Sequence, residues 1–234
     1  MKTVIPIKIH DDPLVASLFP PEVITNEVNP IQLQDSIFPE EEAFIQKAVL
    51  KRKQEFIVGR LCTRKALSEI GIEGFPLLMG KDRAPIWPSG VVGSIAHTAG
   101  YCGVAIAQKI DIESVGLDVE CVEQVNRDTW KHFCNQQELS QINSLAINEQ
   151  QKNAALVFSA KECLYKCQYP ISKKWVSFHD VTISINLNKH EFEGRFLVDV
   201  GSYFKKETRL KGKYLFSNGY IFTGMVLRRG LNII

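Results

Sequence analysis

Two carboxylates on an otherwise apolar segment are the first residues in this sequence whose types and spacing suggest chemistry. Residues 115–120 read Val-Gly-Leu-Asp-Val-Glu. In a strand, Asp118 and Glu120 would point to one face and the intervening apolar side chains to the other. Carboxylates this close repel each other unless a proton or a cation lies between them, and Mg2+ prefers oxygen ligands. The segment therefore predicts half of a divalent-metal site; the alternative is a strand with a solvated acidic face.

A third acid and a basic partner lie on a predicted helix further along the chain. Residues 158–166 read Phe-Ser-Ala-Lys-Glu-Cys-Leu-Tyr-Lys. Glu162 and Lys166 are four residues apart and share one helix face, where the alternative to a functional site is an exposed ion pair contributing about 0.3 kcal/mol. Between the two segments, Glu138 follows Asn135 by three residues, as in a helix capping box.

Several cations precede the acidic segment. A helix predicted from Pro39 to Ile70 carries Arg52, Arg60 and Arg64, whose spacing allows either an aligned basic stripe or a solvated cationic face. His97 ends a predicted strand beside a turn. At such a position a histidine can reach a ligand, and the alternative is an ordinary structural histidine.

The composition is that of an ordinary globular protein. The chain has 234 residues, of which 45% are hydrophobic and 23% charged, and its formal net charge of +2 gives no reason to expect a nucleic-acid partner. Its six cysteines form no CxxC pair and its start lacks the apolar run of a signal peptide, so we expect a reducing cytoplasm. No segment approaches the roughly 20 apolar residues that span a bilayer, so we expect a soluble protein without a membrane partner.

The order of helix and strand patterns predicts an α+β fold. Residues 4–9 have the pattern of a strand, and residues 91–97 and 101–108 have the pattern of a hairpin. A helix over residues 154–167 is predicted to end at the Tyr-Pro pair that follows it. Alternating residues between 181 and 226, separated by turn signals, predict an antiparallel meander. Helices and strands are therefore mixed without a regular β-α-β alternation.

Three segments together resemble one enzyme family. Gly116–Glu120 is similar to that family's metal-binding signature, and Phe158–Lys166 is similar to its Lys-Glu-x-x-x-Lys signature. Arg83–Pro88, followed by Gly93–Thr98, is similar to its phosphate-binding approach. The sequence resembles the surfactin-synthetase-type 4'-phosphopantetheinyl transferases, and within them the branch of enterobactin synthase component D, over residues 40–226.

The resemblance implies both an architecture and a reaction. It implies a monomer of two similar α+β halves related by pseudo-twofold symmetry, residues 1–112 and 113–234, joined near Asp111–Ser114, with coenzyme A in the cleft between them. A serine of an apo acyl or peptidyl carrier protein would attack coenzyme A, giving the holo carrier and adenosine 3',5'-bisphosphate. The carrier would belong to a siderophore, peptide or polyketide synthase. Two alternatives are a metal-dependent pyrophosphate hydrolase and a non-catalytic binding module.

The resemblance also implies a role for each site residue. Asp118, Glu120 and Glu162 would bind Mg2+. Glu162 is the first choice for the general base and Glu138 the second, and Lys161 or Lys166 would stabilise the leaving phosphate. The implied coenzyme A contacts are Arg52, Arg60, Lys81, Arg83, Ala96, His97, Asp118 and Lys161. Two residues depart from the family pattern, since Ala96 replaces a frequent serine or threonine and Met79 replaces a lysine found in some relatives.

Overall fold

Two antiparallel sheets form the framework of the protein. The computed structural model describes residues 13–28, 36–98 and 100–230. The first sheet has the order β1-β3-β2, with β1 at Val23–Val28, β2 at Val91–Thr98 and β3 at Tyr101–Gln108. The second sheet has the order β4-β8-β7-β6-β5, with β4 at Ile112–Cys121, β5 at Val181–Asn186, β6 at Glu191–Phe196, β7 at Arg209–Ser217 and β8 at Tyr220–Arg228. The predicted hairpin, meander and α+β class are confirmed, whereas the strand predicted over residues 4–9 lies outside the described residues.

Five α-helices accompany the sheets within the described residues. They are α1 at Pro39–Glu42, α2 at Leu50–Ser68, α3 at Trp130–Phe133, α4 at Gln136–Ser144 and α5 at Ile147–Ser172. In the part of the chain that the structure describes, no helix combines the length and apolar character needed to cross a bilayer.

The prediction of one continuous helix from residue 39 to residue 70 is wrong, because residues 43–49 form turns and irregular structure. The buried carboxylate of Glu41 anchors the short helix that precedes these turns. It accepts hydrogen bonds from the backbone N–H groups of Phe38 at 2.9 Å and Leu77 at 2.8 Å, and it pairs with the guanidinium of Arg64. These contacts fix the first helical turn against a distant segment, and the chain restarts as α2 after the turns.

The predicted end of the long helix at Tyr169-Pro170 is also wrong, because α5 continues through Pro170 to Ser172. Pro170 removes one backbone donor from the last turn, and only two helical residues follow it. Lys173 then ends the helix in the left-handed region, with a φ of 51°, and its N–H donates to the Tyr169 carbonyl at 2.9 Å.

The two sheets meet along β2 and β4. Ser94 on β2 joins them, since its hydroxyl accepts from the Leu117 N–H at 3.0 Å and donates to the Leu117 carbonyl at 3.3 Å. The apolar face of β4 packs into a core shared with the first sheet, around residues such as Ala105 and Tyr101. The chain passes from one sheet to the other at Ile112, close to the predicted join; the equivalence of the two halves stays a prediction.

Helix α5 packs directly on β4 at Gly116. A Cβ atom at this position would overlap the Cys163 carbonyl oxygen and would lie 2.8 Å from Cys167 Cβ. Only glycine allows this approach of helix to strand. Beside it, the Ser114 hydroxyl donates to the Cys167 carbonyl at 2.6 Å. The acidic face of β4 is therefore held next to the central turns of α5.

Candidate active site

The acidic face of β4 contacts α5 through a lysine. Asp118 is buried, and its Oδ1 accepts from Lys166 Nζ at 2.7 Å. Its second oxygen, Oδ2, is also buried and has no hydrogen-bond partner among the described residues. A buried carboxylate oxygen without a partner is costly unless a cation or a donor reaches it. Asp118 therefore has unused capacity to bind a ligand.

Glu120 and Glu162 complete an acidic cluster around Asp118. Burial, followed by the charge of Asp118, raises the pKa of Glu120 to about 8. Burial also raises the pKa of Glu162, with Lys166 opposing the rise and Asp118 adding to it. The structure thus brings together the three acids predicted to bind metal. No set of three or more ligating side chains within the described ranges is already arranged to hold an ion.

Lys166 is the cation of this cluster. Burial alone would lower the pKa of its ammonium, but Asp118, together with Glu162 and Glu120, raises the pKa above its ordinary value. The side chain keeps 28% of its surface exposed, so the Asp118–Lys166 pair is only partly buried.

Arg52 and His97 lie together near the acidic cluster, and their predicted contacts with coenzyme A stay predictions. Arg52 Nη1 donates to His97 Nε2 at 3.0 Å, which leaves the ring N–H on Nδ1, 3.6 Å from Glu55 Oε2. Burial lowers the pKa of His97; Glu55 opposes this, whereas Lys166 adds to it. The His97 ring therefore contacts two side chains of α2, Arg52 and Glu55.

Arg60 and Arg64 form neither the aligned basic stripe nor the solvated cationic face that their spacing with Arg52 allowed. Arg60 is buried; its Nε donates to the Leu77 carbonyl at 3.2 Å, and its guanidinium lies 3.6 Å from the centre of the Phe56 ring. Burial lowers its pKa to about 10, and one of its nitrogens, Nη2, is buried without a partner in the described chain. Arg64 pairs with Glu41 and donates to the Ser36 carbonyl, and its Nε, like Arg60 Nη2, is buried without a partner in the described chain.

The remaining predicted coenzyme A contacts lie on a turn and a strand. Lys81 and Arg83 are exposed on a tight turn, where Arg83 adopts a positive φ of 65°. The Ala96 methyl is buried in the core between the sheets, so a hydroxyl at this position would not face the cleft. Met79 packs against the cluster that contains Phe56. The two departures from the family pattern therefore occupy apolar surroundings.

Lys161 and Glu138 form a second, sealed ion pair. Lys161 Nζ donates to Glu138 Oε2 at 2.7 Å and to the carbonyls of Phe133 at 2.9 Å and Phe178 at 2.7 Å, which uses all three ammonium protons. Glu138 also accepts from the N–H groups of Asn135 and Ile183, both at 2.7 Å. The capping box is confirmed. The geometry gives no support to Lys161 as a phosphate contact or to Glu138 as a base, and those roles stay predictions.

Two cavities flank the cluster and share Tyr165. The larger, about 270 Å³, lies between the turn at residues 82–87 and the end of α5, and it reaches Lys166. We call it the Trp87 cavity. The smaller, about 160 Å³, lies beside Glu162 and is lined largely by apolar side chains. We call it the Trp175 cavity, after the exposed indole that lies 5.3 Å from the Tyr165 ring, centre to centre.

Comparison with known proteins shows the family to which the chain belongs. A family model of the 4'-phosphopantetheinyl transferase N-terminal domain matches residues 40–107, and a model of the 4'-phosphopantetheinyl transferase superfamily matches residues 114–219. The 4'-phosphopantetheinyl transferase PptT of Mycobacterium tuberculosis is 32% identical over 198 residues, covering 81% of this chain and 85% of the relative. The chain belongs to the 4'-phosphopantetheinyl transferases.

Other phosphopantetheinyl transferases are similar to different extents. The 4'-phosphopantetheinyl transferase Svp of Streptomyces mobaraensis is 30% identical over 92% of this chain and 89% of its own length. Enterobactin synthase component D of Escherichia coli is 31% identical over 57% of this chain and 63% of its own length. The protein is thus a phosphopantetheinyl transferase, an enzyme that acts on carrier proteins, and its likeness to the enterobactin branch covers a smaller part of the chain.

Sequence reasoning missed several residues that line the cavities of this transferase. Tyr169 stacks on Tyr165 at 5.4 Å between ring centres, and both rings line the Trp87 cavity. Their spacing of four residues placed them on one helix face and could have signalled a shared surface. Trp87 and Asp82 come from a turn, and no local pattern links that turn to α5.

Proposed function

We propose that this transferase moves the 4'-phosphopantetheine arm of coenzyme A to a serine of an apo acyl or peptidyl carrier protein and releases adenosine 3',5'-bisphosphate. One observation carries the proposal. The Asp118–Lys166 pair and Glu162 lie at the junction of two cavities, one with a cationic border and one largely apolar. Coenzyme A has a matching division, with an anionic nucleotide at one end, an uncharged arm at the other and a diphosphate between them.

The nucleotide end fits the Trp87 cavity. Arg83, Lys166 and Lys173 line it, and Trp87 offers an aromatic face. Cations near phosphate oxygens form charge-assisted hydrogen bonds, which are the stronger kind. Arg60 does not line this cavity, so its contact with coenzyme A stays a prediction.

The uncharged arm fits the Trp175 cavity. Val176, Phe178 and Val181 line it together with Leu164 and Tyr165. Apolar walls favour a neutral pantetheine chain over a phosphate, because a buried charge without a partner is strongly disfavoured. With the arm in this cavity and the nucleotide in the other, the diphosphate would lie at Lys166 and Glu162.

The acidic cluster has the composition of a magnesium site. Its ligands would be Asp118, Glu120 and Glu162, which offer only oxygen atoms, and the unpartnered Asp118 Oδ2 is an acceptor that a cation would satisfy. Bound Mg2+ would neutralise negative charge on the diphosphate oxygens.

We assign Glu162 as the general base and Lys166 as the contact to the leaving phosphate. The serine hydroxyl gives its proton to the Glu162 carboxylate as its oxygen bonds to the β-phosphorus of coenzyme A. The bond from that phosphorus to the bridging oxygen breaks, and the electron pair leaves with adenosine 3',5'-bisphosphate, whose new charge Lys166 stabilises. Both oxygens of Glu138 are already engaged in hydrogen bonds, so Glu138 is the poorer base.

The biological setting is also a proposal. The name of the Escherichia coli relative, enterobactin synthase component D, supports a carrier from a siderophore, peptide or polyketide synthase. The six cysteines are all free thiols, which suits a reducing cytoplasm. The monomeric state and the lack of nucleic-acid or membrane partners stay predictions.

The test is a mass measurement on a panel of apo carrier proteins. With Mg2+ and coenzyme A, the carrier that is served should gain the mass of one phosphopantetheine arm. Asp118→Ala should abolish the gain, whereas Asp199→Ala, at an exposed acid in the loop after β6, should not. An unchanged mass for every carrier would overturn the proposal. Consumption of coenzyme A without any carrier would instead identify a pyrophosphate hydrolase.

A further inference from the structure

The two sides of the Trp87 cavity are joined at its outer end by one carboxylate. Asp82 Oδ2 accepts from the Tyr169 hydroxyl at 3.1 Å and from Lys173 Nζ at 3.2 Å. Asp82 belongs to the turn after Met79, whereas Tyr169 and Lys173 belong to the end of α5 and its cap. All three residues line the cavity. These contacts therefore bridge the segments that form its opposite walls.

Each partner is held in place by contacts of its own. Asp82 Oδ1 accepts from the Ala84 N–H at 3.2 Å, and Gly80 N–H donates to the Ala84 carbonyl at 2.9 Å, which closes the turn. On the other side, Tyr169 stacks on Tyr165, and Lys173 Nζ lies 5.0 Å from the centre of the Tyr169 ring. The turn that carries Asp82 and the end of α5 are thus each held in place by contacts other than the bridge.

The bridge is weak enough to open. Asp82 and Lys173 are exposed, and Lys173 keeps 60% of its side-chain surface accessible. Hydrogen bonds and ion pairs in such positions contribute little to stability and break readily. A nucleotide entering or leaving the cavity past these residues has to separate them.

We propose that Asp82 is a positioning residue that, through Tyr169 and Lys173, forms a gate on the Trp87 cavity and limits the exchange of the nucleotide product. This inference rests on the proposed function, which places the nucleotide in that cavity. A gate that is closed in the free protein raises the barrier in both directions. It therefore slows association and dissociation together and changes the dissociation constant little.

Two variants separate a gate from a simple charge effect. Asp82→Asn keeps an oxygen for the Ala84 N–H but places an amide where the bridging oxygen was. Tyr169→Phe removes one bridging hydrogen bond and changes no charge. If the charge of Asp82 only repelled the anionic nucleotide, Asp82→Asn would speed association and slow dissociation, and Tyr169→Phe would do neither.

The experiment measures binding of adenosine 3',5'-bisphosphate to the full-length protein by surface plasmon resonance. For Tyr169→Phe we expect both rate constants to rise about threefold, and for Asp82→Asn about five- to tenfold, with the dissociation constant within about twofold. The double variant should be no faster than Asp82→Asn alone. Glu22→Ala, which removes another exposed ion pair at 3.0 Å, is the matched control and should leave both rates unchanged.

The outcomes distinguish failure of the gate from failure of the proposed function, which places the nucleotide in the Trp87 cavity. If the nucleotide binds the wild-type protein but the variants leave the rates unchanged, or move them in opposite directions, the gate is overturned and the donor assignment stands. If the nucleotide does not bind the wild-type protein, the donor assignment is overturned and the gate with it.

Discussion

The same helix carries two lysine–carboxylate pairs of equal length and very different surroundings. Lys161–Glu138 and Lys166–Asp118 each measure 2.7 Å from nitrogen to oxygen. The side chains of the first pair are 2% and 1% exposed, and those of the second are 28% and 4% exposed. The first pair has used all its donors, and both its oxygens are bonded, whereas the second leaves one buried oxygen unpartnered. Unused bonding capacity, rather than contact distance, distinguishes the pair suited to chemistry.

Helix geometry explains why the two lysines differ. Five residues of an α-helix turn through roughly 500°, so Lys161 and Lys166 point about 140° apart. Glu162 and Lys166, four residues apart, turn through roughly 400° and stay on one face. Lys161 therefore extends toward α4 and the edge strand β5, while Lys166 extends toward β4 and the cleft. We expect substitutions on the two faces to change different properties.

The largest expected effect is a loss of activity on substitution of Glu162, on the face of α5 that also carries Lys166. Glu162→Gln keeps the size of the side chain but removes the carboxylate that would accept the serine proton. We expect kcat to fall by about 10²- to 10⁴-fold and the free energy of unfolding to change by less than about 1 kcal/mol. Initial rates of carrier modification, followed by mass spectrometry, together with urea unfolding, measure both quantities.

The control for this variant is Glu193→Gln, on the exposed face of the second sheet, which should leave the rate unchanged. A Glu162→Gln enzyme that keeps wild-type activity would show that another group accepts the proton. Glu138 would then have to be reconsidered, although its oxygens are engaged.

The next largest effect is a loss of stability on substitution of Lys161, in the buried pair with Glu138. Lys161→Met leaves Glu138 buried without its cation, and it leaves the carbonyls of Phe133 and Phe178 without their donor. Breaking a buried pair from one side typically costs about 3–5 kcal/mol of stability. Urea unfolding should show this loss, whereas the rate measured under conditions in which the variant is folded should stay within about tenfold of wild type.

This variant also tests the role predicted for Lys161 from the family signature. A Lys161→Met protein with wild-type stability and no activity would mean that the lysine contacts the phosphate after all. The comparison between the two pairs would then fail, because both would serve the chemistry.

The sequence predicted those parts of the site that depend on local periodicity. Asp118 and Glu120 share a strand face because strand side chains alternate, and Asn135–Glu138 form a capping box because its spacing is local. The surroundings of Arg60 could not be predicted, because its acceptor, the Leu77 carbonyl, lies far along the chain. Helix geometry alone predicts that Lys161 and Lys166 point apart, although the family signature contains both residues.

A smaller loss of stability is expected at Gly116, where α5 packs directly on β4. In Gly116→Ala the new methyl would overlap the Cys163 carbonyl, so α5 would have to move away from β4. Overpacking of this kind costs about 1–3 kcal/mol. Movement of α5 would also separate Lys166 from Asp118, so we expect both stability and kcat to fall, as measured by urea unfolding and initial rates.

The matched control is Gly59→Ala in α2. Its new methyl would lie 3.4 Å from the nearest atom, an Ile95 side-chain carbon, which is ordinary van der Waals contact. Replacing a glycine inside a helix by alanine stabilises by roughly 0.5–1 kcal/mol when space allows. If the two substitutions had the same effect, close packing at Gly116 would not be what holds α5 on β4.

The smallest expected effect is the cost in stability of Lys166→Met. This substitution removes the cation from three acids that are proposed to bind Mg2+, so a divalent ion can replace the lost charge, whereas nothing can replace Lys161 in its sealed site. We expect a loss of about 1 kcal/mol in the presence of a chelator and a smaller loss in millimolar Mg2+, because an ion that binds only the folded state stabilises it. The loss in Lys161→Met should be independent of Mg2+. If Mg2+ rescued both variants equally, or neither, the difference between an open and a sealed pair would not explain which lysine serves the reaction.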